Sequence, residues 1–281
     1  MTRPFQLVDV FHSEQRLSGN PLAVVLDSSG LSTEEMQRIT RWVNLSETTF
    51  LLPPTSSEAD YRVRIFTLDR EMPFAGHPTL GTCHAWLSAG GKPRSANRIV
   101  QECGAGLVPI RRDGDRLAFA APKLIRSGPV DAATLDEIAE VLRIPRPAII
   151  DAQWADNGPG WVAVLLESAE AVLAVEPLGS YSRRVDIGLV GLYPAGGPVA
   201  YEVRAIFSDP RRSLLEDPVT GSLNASLAQW LLATGRVSAP YVAAQGARLG
   251  RAGRIHIDRD SSGAIWVGGK STTIFSGDCL L

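Results

Sequence analysis

Two short stretches of this chain place glycine where a helix would begin. Pro73-Phe-Ala-Gly-His-Pro-Thr-Leu-Gly81 and Glu216-Asp-Pro-Val-Thr-Gly-Ser222 each follow an apolar strand-like run and lead into a helix-like one. The first turn of a helix carries unpaired backbone N–H groups and the positive end of the helix dipole, and glycine lets an anion approach that backbone closely. Two such starts facing each other across a cleft would clamp a carboxylate without any arginine. Taken singly, the same residues also read as plain structure, with Asp217-Pro218 an N-cap followed by proline at the first helical position and Gly76 a turn residue. His77 lies beside the first glycine, between residues that set backbone geometry; the other histidines, His12, His84 and His256, have no such setting. Glu47, in Asn44-Leu-Ser-Glu-Thr-Thr-Phe50, stands where a helical stretch gives way to an apolar strand. Desolvation there would raise its pKa toward the range of a neutral-pH general acid/base. The residues alone do not separate Glu47 from a surface glutamate in a loop.

The remaining chemistry is narrowed by what the sequence lacks. No HxH, HxxxH or Cys/His cluster suggests a metal, and Cys83, Cys103 and Cys279 have neither zinc nor redox spacing. No nucleotide-binding glycine loop or nucleophile elbow occurs, so no metal and no cofactor is expected. A net charge of −2 gives no electrostatic reason for a nucleic acid or an anionic membrane as partner. An odd cysteine count, an N-terminus without a leader-like apolar stretch and no window near ~18 apolar residues together point to a cytoplasmic, non-membrane chain.

The elements that must position these residues are mostly short strands. Runs at 5–11, 22–27, 48–52, 61–67, 98–102, 107–111 and 115–120 read as a first series, and 148–152, 161–166, 185–192, 200–207, 253–258, 263–267 and 272–275 as a second. Helical periodicity is clearest in 32–43, 78–89, 131–143 and 218–233, with Ser32 as an N-cap. Ser127-Gly-Pro129 reads as a domain junction. Sliding the chain by 140 residues lays Tyr61-Arg-Val-Arg64 over Tyr201-Glu-Val-Arg204, and Leu22-Ala-Val-Val-Leu-Asp-Ser28 over Val162-Ala-Val-Leu-Leu-Glu-Ser168. Two matches at one offset, near half the 281-residue length, indicate a duplicated unit. The same offset pairs His77-Pro78 with Asp217-Pro218, whereas a five-residue insertion would pair Ala75-Gly-His77 with Thr220-Gly-Ser222; both registers remain open.

These residues, in this order, resemble the PhzF-like family of phenazine-biosynthesis isomerases. The matching segments are Val8-Asp-Val-Phe11, Gly19-Asn-Pro-Leu-Ala-Val24, Asn44–Phe50, Arg64-Ile-Phe-Thr67, the two glycine-bearing helix starts and Gln245-Gly-Ala-Arg-Leu-Gly-Arg251. The resemblance implies an α+β, diaminopimelate-epimerase-like fold of two similar domains, each a barrel-like sheet around a central helix, related by a pseudo-two-fold axis. It divides the chain into residues 1–118, with the last strand 270–281 returning to them, and residues 119–269. Carried over residue by residue, the family's catalytic glutamate falls on Glu47, its supporting histidine on His77, its aspartate on Asp217 and its serine on Ser222. Gly76 and Gly221 would offer backbone N–H groups to the substrate carboxylate, and Asn20 would line the cleft.

The resemblance also implies a small-molecule carboxylate as substrate, a conjugated cyclic amino acid suiting the chemistry, and a homodimer. Related epimerases and racemases use a cysteine on each face of the substrate carbon. Those positions fall on Ala75 and Thr220 here, and Cys83 lies two helical turns further in. An allylic or enol-type isomerisation with one carboxylate is therefore the expected reaction. An epimerase-type activity and a non-catalytic binding relative are the alternatives.

Overall fold

The computed structural model describes residues 2–96 and 98–281; Met1 and Asn97, both within the first expected domain, lie outside the described residues. The chain forms two compact units, residues 1–120 with 268–281, and residues 121–267.

The first unit contains β1 (Thr2–His12), β2 (Asn20–Val25), α1 (Thr33–Val43), β3 (Glu47–Leu52), β4 (Tyr61–Thr67), β5 (Glu71–Met72), α2 (Gly76–Ser88), β6 (Arg98–Cys103), β7 (Gly106–Asp113) and β8 (Arg116–Ala120). The second contains β9 (Arg126–Pro129), α3 (Ala132–Leu142), β10 (Asp151–Asp156), β11 (Val162–Leu165), α4 (Ala169–Ala174), β12 (Asp186–Leu192), β13 (Tyr201–Ser208), β14 (Leu214–Asp217), α5 (Gly221–Ala233), β15 (Tyr241–Gln245) and β16 (Gly253–Arg259). The last strand, β17 (Ile265–Leu280), begins in the second unit and passes into the first at Gly268.

In the first unit β1–β2 is antiparallel, β2–β3 parallel, β3–β4 and β4–β5 antiparallel, β4–β6 parallel, and β6–β7 and β7–β8 antiparallel. β17 pairs with both β8 and β1, which closes the sheet into a barrel. The second unit repeats the order as β10–β11 antiparallel, β11–β12 parallel, β12–β13 and β13–β14 antiparallel, β13–β15 parallel and β15–β16 antiparallel. The 140-residue offset seen in the sequence therefore aligns β2 with β11 and β4 with β13.

α2 is the helix inside the first barrel, with Leu80, Gly81, Thr82, Cys83 and Ala85 all buried. A Cβ at Gly81 would stand 2.6 Å from Leu22 Cδ2 and 2.7 Å from Val10 Cγ2, so only glycine allows this helix so close to β1 and β2. α5 is equally enclosed. A helix buried on every side has no polar stripe, so these two lack the amphipathic face that the periodicity read over 78–89 and 218–233 implies, while α1 has a strong one. Their buried polar groups find partners instead: Thr82 Oγ1 donates to Thr49 Oγ1 at 2.8 Å, and Gln101 Nε2 to Thr79 Oγ1 at 2.9 Å. α1 covers the outer face of the first sheet through a cluster of Val25, Met36, Phe50 and Phe66. α3 and α4 cover the second through Ile138, Val141, Leu142 and Val172.

Several expectations are corrected. Ser127-Gly-Pro129 is not a junction; it forms β9 and pairs with β10, the proline being the strand's last residue, where a missing N–H is tolerated. The runs 263–267 and 272–275 are parts of one strand, β17. Pairing of Ile65 with Met72 and of Ala205 with Asp217 decides the register, because 205 − 65 is 140 but 217 − 72 is 145. The five-residue insertion lies between β13 and β14, and α2 and α5 start at Gly76 and Gly221. Asp217-Pro218 is thus no helix cap: Asp217 ends a strand, and the N-cap residue of α5 is Thr220.

Candidate active site

Glu47 owes its place to the end of α1. Asn44 closes that helix in the left-handed conformation, φ 59°, its N–H returning to the Thr40 carbonyl. The chain then re-enters the sheet with Glu47 as the first residue of β3, its side chain 17% exposed.

His77 is the second residue of α2 and 3% exposed. Burial pushes its imidazole down to about 3, so the ring is neutral near physiological pH. Nδ1 lies 3.4 Å from Asn20 Nδ2 and 3.6 Å from Glu47 Oε2, the second distance longer than a hydrogen bond. An Nδ1 that accepts from the Asn20 amide leaves the ring proton on Nε2, which is buried without a hydrogen-bond partner. The first unit thus brings Asn20, Glu47, Gly76 and His77 together at one helix start.

In the second unit Asp217, Gly221 and Ser222 gather at the start of α5. The Asp217 carboxylate accepts the Thr220 hydroxyl at 2.6 Å. Ser222 Oγ accepts the indole N–H of Trp161 at 3.2 Å, and its carbonyl accepts from Asn157 Nδ2 at 2.9 Å. Gln245, 1% exposed, ties this turn together. Its amide nitrogen donates to the Asp217 carbonyl and to Thr220 Oγ1, both at 3.0 Å, and its oxygen accepts from the Thr220 N–H at 3.0 Å and Asn224 Nδ2 at 2.8 Å.

Helix capping distinguishes these two starts from the others. Ser32 caps α1, Asp131 caps α3 and Ser168 caps α4, each side chain accepting a first-turn N–H. Ala75 and Thr220, the N-cap residues of α2 and α5, make no such bond. Uncapped, with glycine at the first helical position, both starts keep N–H groups and dipole available to an anion.

The whole-chain comparison agrees with the residues. The model of the family described as phenazine biosynthesis-like protein, PhzC-PhzF, matches residues 8–277. The chain belongs to this family. It is 33% identical over 302 residues to antisense-enhancing sequence 1 of Schizosaccharomyces pombe, covering 99% of this chain and 98% of that one. It is 32% identical over 288 residues to the trans-2,3-dihydro-3-hydroxyanthranilate isomerase of Pseudomonas aeruginosa, covering 99% of each. Among solved structures, that of a predicted epimerase from Pseudomonas aeruginosa superposes with a TM-score of 0.82 at 26% identity, covering 99% of both chains. The α+β fold is the one shared by PhzF-family and proline-racemase-like proteins, as expected.

PhzF-family proteins are enzymes, and relatives of this chain are named isomerases. Within that family the thiols of this member take no place at the site. Burial pushes Cys83 up to about 12, which keeps it a thiol, and burial also raises Cys103 and Cys279. Ala75 and Thr220, where a two-cysteine racemase would carry its pair, are the N-cap residues themselves, and the Thr220 hydroxyl is committed to Asp217. Among the described residues, no group of three His, Cys, Asp or Glu side chains is arranged to hold a metal ion. Sequence reading missed Asn157 and Trp161, and singled out Gln245 only as the first residue of a family-matching segment.

Proposed function

We propose that this protein moves a proton between two carbons of a small carboxylate without a cofactor, with Glu47 as the group that takes the proton and returns it. The observation that supports this most directly is Glu47 beside a buried, neutral His77 at the uncapped start of α2. The Glu47 carboxylate would accept a proton from carbon, leaving the electron pair delocalised over the conjugated system. The resulting carboxylic acid would deliver that proton to another carbon and regenerate the carboxylate. His77, as a neutral donor through Nε2–H, would stabilise the charge that develops between these steps without quenching the Glu47 anion. The uncapped helix starts, at Gly76 in the first unit and at Gly221 in the second, each offer backbone N–H groups suited to a carboxylate, with Asp217 and Ser222 ordering the second of them.

A conjugated cyclic amino acid suits this chemistry, and the isomerase relative at 32% identity makes trans-2,3-dihydro-3-hydroxyanthranilate the first substrate to test. Glu47→Gln keeps the side-chain shape and removes the proton carrier. Turnover should fall at least ~10²–10⁴-fold, the usual contribution of a general acid/base, while ligand affinity stays nearly unchanged. A variant retaining more than about a tenth of wild-type turnover would falsify this role for Glu47. Running the reaction in deuterium oxide separates the alternatives: label at a new carbon marks isomerisation, label at the original stereocentre epimerisation, and no label a binding protein.

A further inference from the structure

The loop joining β10 to β11, Asn157-Gly-Pro-Gly-Trp161, has one shape. The Asp156 carboxylate accepts the N–H of Gly158 at 2.7 Å and of Gly160 at 2.8 Å, and the Ala155 N–H donates to the Trp161 carbonyl at 2.9 Å. Gly158 and Gly160 have φ of 141° and 103°, a region that other residues occupy only under strain. This shape directs two donors onto a single residue, Ser222, the second of α5: Asn157 Nδ2 to its carbonyl and Trp161 Nε1 to its hydroxyl.

The first unit contains the same device. Asp9, on β1, accepts the N–H of Ser18 at 3.2 Å and of Gly19 at 2.9 Å in the β1–β2 loop. That loop delivers Asn20 to His77, the second residue of α2. Two loops tied by an aspartate, each bringing a polar side chain to the same position of the central helix, are hard to explain as packing alone.

We infer that Trp161 and Asn157 are positioning residues that turn Ser222 into a hydroxyl donor for the substrate carboxylate. This rests on the reading of the α5 start as a carboxylate receiver. An indole N–H donates and never accepts, so it occupies a lone pair of Ser222 Oγ and turns the hydroxyl proton away from Trp161. A hydroxyl that accepts one hydrogen bond donates a stronger one. Asn157 acts on the next bond along: by holding the Ser222 carbonyl it orients the peptide unit whose N–H belongs to Leu223, within the first turn. Trp161 is 4% exposed, so its ring is held by packing, while the half-buried Ser222 that it meets stays partly accessible. Asn157 Oδ1 is buried and makes no hydrogen bond among the described residues.

The test is a double-mutant cycle read by calorimetry, with 3-hydroxyanthranilate as the carboxylate probe. Trp161→Phe and Ser222→Ala should each weaken binding by roughly 3–10-fold, the value of one hydrogen bond, and the double variant should bind no worse than Ser222→Ala. Losses that multiply, or a Trp161→Phe variant that binds like wild type, would overturn the inference while leaving the Glu47 mechanism standing. Should Trp161→Phe fail to fold, Asn157→Ala serves in its place: weaker binding at an unchanged melting temperature supports the positioning role, and unchanged binding refutes it. A wild type that does not bind the probe defeats the carboxylate reading of α5, whereas intact turnover in Glu47→Gln defeats the proposed proton carrier alone.

Discussion

Strands β3 and β12, each paired in parallel with the strand before it, both open on a carboxylate, and the two carboxylates have different neighbours. Glu47 pairs across the sheet with Thr67, and Asp186 with Phe207, the two partners lying 140 residues apart. Asp186 lies 2.9 Å from the Arg184 guanidinium. Glu47 has the neutral imidazole of His77 beside it. The first carboxylate thus has a neutral ring at its side and the second a cation. A second pair differs in the opposite sense. Arg64–Glu71 in the first half is partly exposed, at 21% and 39%, while Arg204–Glu216 is buried, at 4% and 9%. Arg204 also donates to the Val172 and Val175 carbonyls at 3.1 and 2.6 Å, closing the end of α4. Duplication supplied one frame twice; the first copy carries the candidate proton chemistry, and the second is the more tightly tied.

The largest contrast expected is catalytic. Against the ~10²–10⁴-fold loss in Glu47→Gln, Asp186→Asn should leave turnover within about twofold of wild type. Equal losses in both would erase the distinction between the halves. The next contrast is in stability. Arg204→Ala leaves Glu216 buried without its partner and should cost about 3–5 kcal/mol in denaturant unfolding, against about 0–1 kcal/mol for Arg64→Ala. Similar midpoints for the two variants would show that burial does not set the difference.

A smaller effect is specific to the first half, because the position of His77 in α2 is occupied in α5 by Ser222, which does not titrate in this range. His77 is held near 3 when folded, against an ordinary 6.5. Between these values the unfolded chain binds a proton that the folded one refuses. Stability from this group is therefore complete above about pH 6.5 and is lost as pH falls toward 3, by at most ~1.4 kcal/mol per pH unit. His77→Asn should flatten that limb of the unfolding free energy against pH. Parallel slopes for wild type and variant would show that His77 takes its proton in the folded state.

Much of this was legible from local pattern. Strand runs, capped surface helices and the Tyr-x-Val-Arg repeat announce themselves because alternation, capping and turn chemistry act within a few residues. Strands β5, β9 and β14, of two, four and four residues, were missed, since strands so short exist only through the partner beside them. Glu47 could not be told from a surface glutamate by its flanking residues; what distinguishes it is His77, thirty positions away in sequence and 3.6 Å away in space.

By itself, then, the sequence determined the alternation of strands and helices, the duplication, the glycines at the two helix starts and the absence of thiols at Ala75 and Thr220. Only the tertiary structure decided between the 140- and 145-residue registers, removed Asp217 from the role of helix cap, made His77 neutral by burying it, and brought Asn157, Trp161 and Gln245 to the start of α5. The reason is physical. Propensity and capping are properties of neighbours along the chain, whereas burial, and the hydrogen bonds that burial makes obligatory, depend on which distant strand the fold lays alongside.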